Sequence, residues 1–246
     1  MIFDNPDVSF GIVDWEVDAP NATFITFVIE EQGFLAGAAA ALRNDTGRVG
    51  LVMAAEVTFL APFQAGFEAG VQSVDPDIEI LRSLINEEGS EVGFFQPDIG
   101  QIRAAELYEQ GVDVIVSAAG SSDFGTFTAA AEHTAATGTQ VWAIGLDNDQ
   151  WFAVPPNEQS AILTSIIKRV DVGAFRLIEH MTSGGPNGLV ASLSVADDAY
   201  GVSTQGDDFT PEMSAALGEI MTEIAEGRVD LCQRPDGSGR PCPTRN

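Results

Sequence analysis

The strongest constraint in this sequence is an alternation that runs from about residue 8 to residue 195. Short apolar runs are followed, each in turn, by longer segments with apolar residues at helical spacing. The runs at 10–14, 23–29, 48–53, 78–85, 112–116, 140–146 and 161–165 are strand-length and nearly continuous in Val, Ile, Leu and Phe. Between them, 33–42, 62–74, 99–110, 126–137 and 170–181 repeat apolar residues every three or four positions, as one buried helix face requires. Gly66 and Gly70 sit among Phe63, Phe67 and Val71 and predict a close backbone approach in that helix. Near the C-terminus, Thr210 and Pro211 form a helix start, Met213, Leu217, Ile220 and Ile224 line one face, and Gly227 closes it. Strands that are apolar throughout and separated by helices belong to a mainly parallel sheet covered on both faces, an α/β fold. Such sheets bind ligands at the carboxyl ends of their strands, which directs attention to the residues after Val116 and after Leu146.

Charge removes several function classes. Thirty-seven acidic residues face 11 basic ones, a net charge of −26. A field of that sign repels phosphate backbones and anionic lipid surfaces, so neither nucleic acid nor a membrane surface is an expected partner. No stretch approaches the ~20 apolar residues of a membrane span. The first residues show no basic and then apolar leader, so no signal peptide is visible. Lysine is nearly absent; the single one, Lys168, stands out in a chain that otherwise uses arginine. Cys232 and Cys242 flank a polar Gly/Pro-rich loop in the tail, residues 231–246. A disulfide closing that loop is expected, and with it an oxidising compartment.

Two strand ends carry candidate chemistry. After Val116 come Ala119, Gly120, Ser121, Ser122, Asp123, Phe124 and Gly125, a turn whose backbone N–H groups could donate to ligand oxygens. Phe124 is the candidate flat face for a base, whereas Phe127 is expected in the core. After Leu146 come Asp147, Asn148, Asp149 and Gln150. A carboxylate there accepts from a pair of neighbouring sugar hydroxyls. A metal at Asp147 and Asp149 is disfavoured, because both histidines, His133 and His180, fall in helices and no third carboxylate is near. Neither a dinucleotide fingerprint, a P-loop, a G-x-S-x-G elbow nor H-E-x-x-H occurs, so no cofactor and no catalysis are expected.

Four segments together carry a family resemblance: Gly111-Val112-Asp113-Val114-Ile115; Ala119-Gly120 with Gly125; Ile144-Gly145-Leu146-Asp147-Asn148-Asp149-Gln150; and Leu163-Thr164-Ser165-Ile166-Ile167-Lys168-Arg169-Val170-Asp171. Phe34 to Ala40 and Phe63 to Gly70 add to it. In order and spacing they resemble the basic-membrane-protein family, purine-nucleoside-binding lipoproteins of ABC importers with a type I periplasmic-binding-protein fold. The resemblance implies a two-lobed clamp on a nucleoside-like ligand that docks, when loaded, on ABC permease subunits outside the cytoplasm. It implies that Asp147 holds ribose hydroxyls, that Lys168 is the family's lysine, that Gly120 lies beside the sugar and that Phe124 stacks on the base. It implies no enzyme activity. The family's lipid anchor and leading strand–helix segment have no counterpart here, so the chain is expected to begin at the last strands of the first lobe. The expected division is 1–32 with 151–185 in the first lobe and 33–150 with 186–230 in the second. Ser121 and Ser122 depart from the family's turn. A ligand-sensing regulator of the same fold is the alternative, although the charge opposes contact with DNA.

Overall fold

The computed structural model describes residues 2–229 and Leu231; the expected Cys232–Cys242 disulfide lies outside the described residues. Two sheets make up the fold. The larger has six strands: β3 (Arg48–Ala55), β4 (Glu79–Asn86), β5 (Val114–Ala118), β6 (Trp142–Asp147), β7 (Ile162–Lys168) and β9 (Tyr200–Val202). Their order is β4-β3-β5-β6-β7-β9, all parallel but for β9, which runs antiparallel to β7 at one edge. The smaller sheet is parallel throughout, with β2 (Ala22–Phe27) between β1 (Phe10–Val13) and β8 (Gly188–Leu193).

The central strands of the large sheet, β3, β5, β6 and β7, are buried on both faces, which is why they read as nearly unbroken apolar runs. Leu51, Met53, Val114, Val116 and Ile144 pack on one face, and Val52, Ala54, Ile115 and Ala143 on the other, with the period of two that a pleat imposes. Helices α1 (Ile29–Arg43) and α2 (Ala61–Val74) cover the first face, while α3 (Pro97–Glu109) and α4 (Asp123–Thr137) cover the second. Helix α6 (Pro211–Ala225) packs beside α1, and its Thr210 cap accepts from the Met213 N–H at 3.2 Å, as its sequence predicts.

The expected close approach at Gly66 and Gly70 is an interlock of four glycines. A Cβ on Gly33 or Gly37 of α1 would collide with the carbonyls of Phe63 or Phe67 on α2, and one on Gly66 or Gly70 with those of Glu30 or Phe34. Backbone meets backbone, so no rotamer change could relieve the clash. This contact fixes the first turn of α1 against the start of α2.

Three expectations are corrected. Segment 151–185 does not go as a unit to the first lobe: β7 belongs to the six-stranded sheet, and only α5 (Val170–Thr182) packs on the smaller one. Likewise β8, placed in 186–230 of the second lobe, pairs with β2. Strand pairing decides these assignments, and chain proximity does not show it. The expected strand 23–29 also stops at Phe27, because Ile29 opens α1 with Glu30 and Glu31 in its first turn, where acidic groups favour the helix dipole.

Candidate functional site

The carboxyl ends of strands from both sheets face a common cleft of about 550 Å3. The smaller sheet contributes Asp14 and Trp15 after β1 and Phe27 at the end of β2. The larger contributes Phe59, the turn from Ala118 to Gly120, Asp147 and Lys168. Its position is the one that parallel sheets favour for ligands.

Lys168, at the end of β7, joins the two sheets. Its Nζ lies 2.7 Å from Asp14 Oδ2 and 3.1 Å from Asp147 Oδ1. Burial alone would pull the amine down, but Asp147 and Asp14 more than offset it and hold its pKa above the ordinary lysine value. The Nζ also lies 5.9 Å from the centre of the Phe27 ring, within cation–π range. The amine is therefore charged and confined between two carboxylates.

Asp14 and Asp147 mirror one another. Each follows or ends a strand, and each takes a positive φ, +65° and +66°, a region that Asp tolerates better than most side chains. The Asp147 turn is closed by the Asn148 N–H donating to the Leu146 carbonyl at 2.8 Å. Gln32 Nε2 of α1 donates to Asp147 Oδ1 at 3.0 Å and to the Ile166 carbonyl at 3.2 Å. On each carboxylate the described bonds fall on one oxygen: Oδ2 of Asp14 and Oδ1 of Asp147. The second oxygen of each accepts nothing from the described residues, which leaves two acceptors at the cleft.

The rest of the Asp-Asn-Asp-Gln motif is supporting structure. Asp149 accepts from the Trp151 N–H at 3.3 Å and from Ser203 Oγ at 2.9 Å. Gln150 donates through Nε2 to the Leu146 carbonyl at 2.9 Å, and its N–H donates to Ser165 Oγ at 3.0 Å. Among the described residues no group of three or more His, Cys, Asp or Glu is placed to hold a metal.

Gly120 lines the cleft with a φ of +59°, a conformation that glycine takes without strain. The two serines after it have a clear task. Ser121 Oγ donates to the Phe94 carbonyl at 2.6 Å; Ser122 Oγ donates to the Gly93 carbonyl at 2.7 Å and accepts from the Gln96 N–H at 2.7 Å. They tie down the segment that brings Phe94 to the cleft. Phe94 stacks on Phe59, with ring centres 5.8 Å apart and planes 17° from parallel, and Trp15 meets Phe59 edge-on at 6.3 Å. An aromatic wall thus spans both sheets.

Of the expected site residues, Gly120, Asp147 and Lys168 come together in the cleft. Phe124 does not line it. Helix α4 starts at Asp123 rather than near Thr126, so Asp123 turns toward the cleft and Phe124 turns away, half exposed and edge-on to the buried Phe127. The sequence reading missed Asp14, Trp15, Gln32, Phe59, Phe94 and Asp123. Asp14 could have been found by the same strand-end rule that picked Asp147.

Asp123 is almost fully buried in the cleft wall, 4% exposed. Its Oδ1 accepts from Ser117 Oγ at 2.6 Å and from the Ala119 N–H at 2.8 Å. Burial pushes its pKa up to about 8, aided by the nearby Asp147 and opposed by those two hydrogen bonds.

Among known proteins, the chain is 32% identical over 238 residues to the CD4+ T-cell-stimulating antigen of Listeria monocytogenes. It is 29% identical over 236 residues to the ABC transporter nucleoside-binding protein BmpA of Lactococcus lactis subsp. cremoris. These alignments cover 94% and 92% of the chain but only 65% of each relative. In fold it matches a crystal structure of an ABC transporter solute-binding protein from Aeropyrum pernix K1, with a TM-score of 0.72 at 21% identity over 96% of this chain and 74% of that one. The family model for ABC transporter substrate-binding proteins of the PnrA-like type matches residues 3–224, and the chain belongs to that family, Bmp.

Proposed function

We propose that this protein is an extracytoplasmic receptor that captures a purine or related nucleoside in the cleft and delivers it to an ABC permease. The observation that carries the reading is the Asp14–Lys168–Asp147 arrangement. The lysine pairs with and orients two carboxylates, and each keeps one acceptor oxygen for the cleft. Neighbouring ribose hydroxyls are donors that suit this pair, since an ionised carboxylate only accepts. The wall of Trp15, Phe59 and Phe94 suits the flat apolar faces of a base. The nucleoside-binding relative from Lactococcus lactis adds support.

The site residues for this ligand are Asp14, Gly120, Asp147 and Lys168, with the aromatic wall in the stacking role once expected of Phe124. Capture, not turnover, is the proposed activity. In the family setting a lipid anchor would hold the protein at the membrane; no helix among the described residues is long and apolar enough to cross one. The net charge of −26 disfavours the regulator alternative wherever that would require contact with DNA.

The test is calorimetry on the protein expressed from its complete reading frame, with adenosine, guanosine, inosine and uridine, followed by chromatography of the recovered ligand. Saturable binding with the nucleoside returned intact is expected. Release of a free base would make the protein an enzyme, and absence of binding to all four would reject the reading.

A further inference from the structure

The described bonds of Asp14 and Asp147 leave each carboxylate as a pure acceptor at the cleft, but Asp123 is arranged differently. Both of its hydrogen bonds fall on Oδ1. Thr126 Oγ1 donates to Ser117 Oγ at 3.2 Å, which commits the Ser117 hydroxyl proton to Asp123. The Ala119 N–H can only donate. Oδ1 is therefore held as an acceptor from two sides, while Oδ2 takes no hydrogen bond from the described residues. Asp123 lines the cleft beside Ala118, Ala119 and Gly120, and Lys168, paired with the other two carboxylates, makes no described hydrogen bond or ion pair with it. No cation among the described residues pairs with it, and a buried carboxyl without one favours its neutral form.

Resting on the nucleoside reading, we propose that Asp123 is a specificity-determining residue whose protonated Oδ2 donates a hydrogen bond to an acceptor atom of the bound nucleoside. The cleft would then read the ligand in two senses: hydroxyl donors at Asp14 and Asp147, and an acceptor at Asp123. A ligand lacking that acceptor would leave a buried donor unpaired, the most discriminating kind of mismatch a pocket can impose.

The charged groups that share the cleft with Asp123 are Asp14, Glu16, Asp147 and Lys168. Lys168, held above its ordinary pKa, keeps its charge through the neutral range. Binding that needs the Asp123 proton is therefore full below the midpoint of about 8 and is lost above it. Calorimetry with the tightest nucleoside of the four, run from about pH 7 to about pH 9, should show wild-type affinity falling by about tenfold. Asp123→Asn keeps a donor that does not titrate, so its affinity should be flat over that interval. Asp123→Ala, checked by a thermal melt, should bind about tenfold or more weakly at about pH 7. A flat wild-type profile, or an equal fall in wild type and Asp123→Asn, would overturn this assignment and leave the nucleoside reading standing. If none of the four nucleosides binds, that reading falls and the Asp123 role falls with it.

Discussion

The two sheets share one cleft but are built very differently. The central strands of the six-stranded sheet are buried on both faces, with Leu51, Val52, Val114, Ile115 and Ile144 wholly inaccessible. The three-stranded sheet carries one described helix, α5, whose outer face shows Phe175 and Ile178 to solvent at 68% and 62% exposure, and Leu189 of β8 is 58% exposed. Yet the smaller sheet supplies Asp14, one of the two carboxylates on Lys168, and Trp15 of the aromatic wall. Burial and cleft lining are therefore distributed unequally. The larger sheet holds its site residues on a closed core, and the smaller one presents its share from a platform with apolar surface to spare, the kind of patch that marks a partner surface or an aggregation risk.

The comparison can be broken most forcefully at the glycine interlock. Gly37→Ala would set a methyl group against the Phe67 carbonyl. Overpacking of this kind costs about 3 kcal/mol, offset by about 1 kcal/mol from the better helix propensity of alanine. Denaturant melts should show a net loss of about 2 kcal/mol. No loss would mean that the core of the larger sheet does not dominate stability.

A smaller effect of opposite sign is expected at Asp123. Its pKa in the folded protein, about 8, lies above the ordinary aspartate value of 3.8. The folded state thus retains a proton that the unfolded state has released. The resulting destabilisation is absent below about pH 4, grows as pH rises and levels off above about 8. Linkage bounds it at roughly 4 kcal/mol near neutrality. Asp123→Asn removes the titration but weakens the hydrogen bond from Ser117, so a gain of about 1–2 kcal/mol at pH 7 is expected, shrinking as pH falls and turning to a net loss by about pH 4. A gain that is constant with pH would show that Asp123 titrates normally.

The smallest effect belongs to the exposed face of α5. Phe175→Ser should change stability by no more than about 0.5 kcal/mol, because the ring makes little contact to lose. Light scattering at rising concentration should fall instead. A large loss of stability would show that this face is already covered.

Much of this was legible in the sequence, and what was not has identifiable physical causes. The fold class followed from strands buried on both faces, since continuous apolar runs have few other uses. Asp147 was signalled by its place at a strand end, and Lys168 by its rarity together with the family resemblance. Asp14 obeys the same rule as Asp147, but its strand offers only four residues and no motif to draw attention. Gln32 was hidden because α1 starts four residues before the expected helix. Phe124 and Asp123 are neighbours about 100° apart around a helix, so a shift of three residues in the start of α4 exchanged which one faces the cleft. The aromatic wall unites residues far apart in the chain, a long-range arrangement that no local period reveals. Strand β8 is only partly buried, and its membership in the smaller sheet depends on pairing with β2, which lies more than 160 residues earlier.

The central claim is that the cleft holds a nucleoside through Asp147. Calorimetric titration of wild type and Asp147→Ala with the same nucleoside tests it most directly. Loss of a hydrogen bond to a charged acceptor costs about 1.5–3 kcal/mol, so the variant should bind roughly 10- to 150-fold more weakly. Equal affinities in the two proteins would contradict the account.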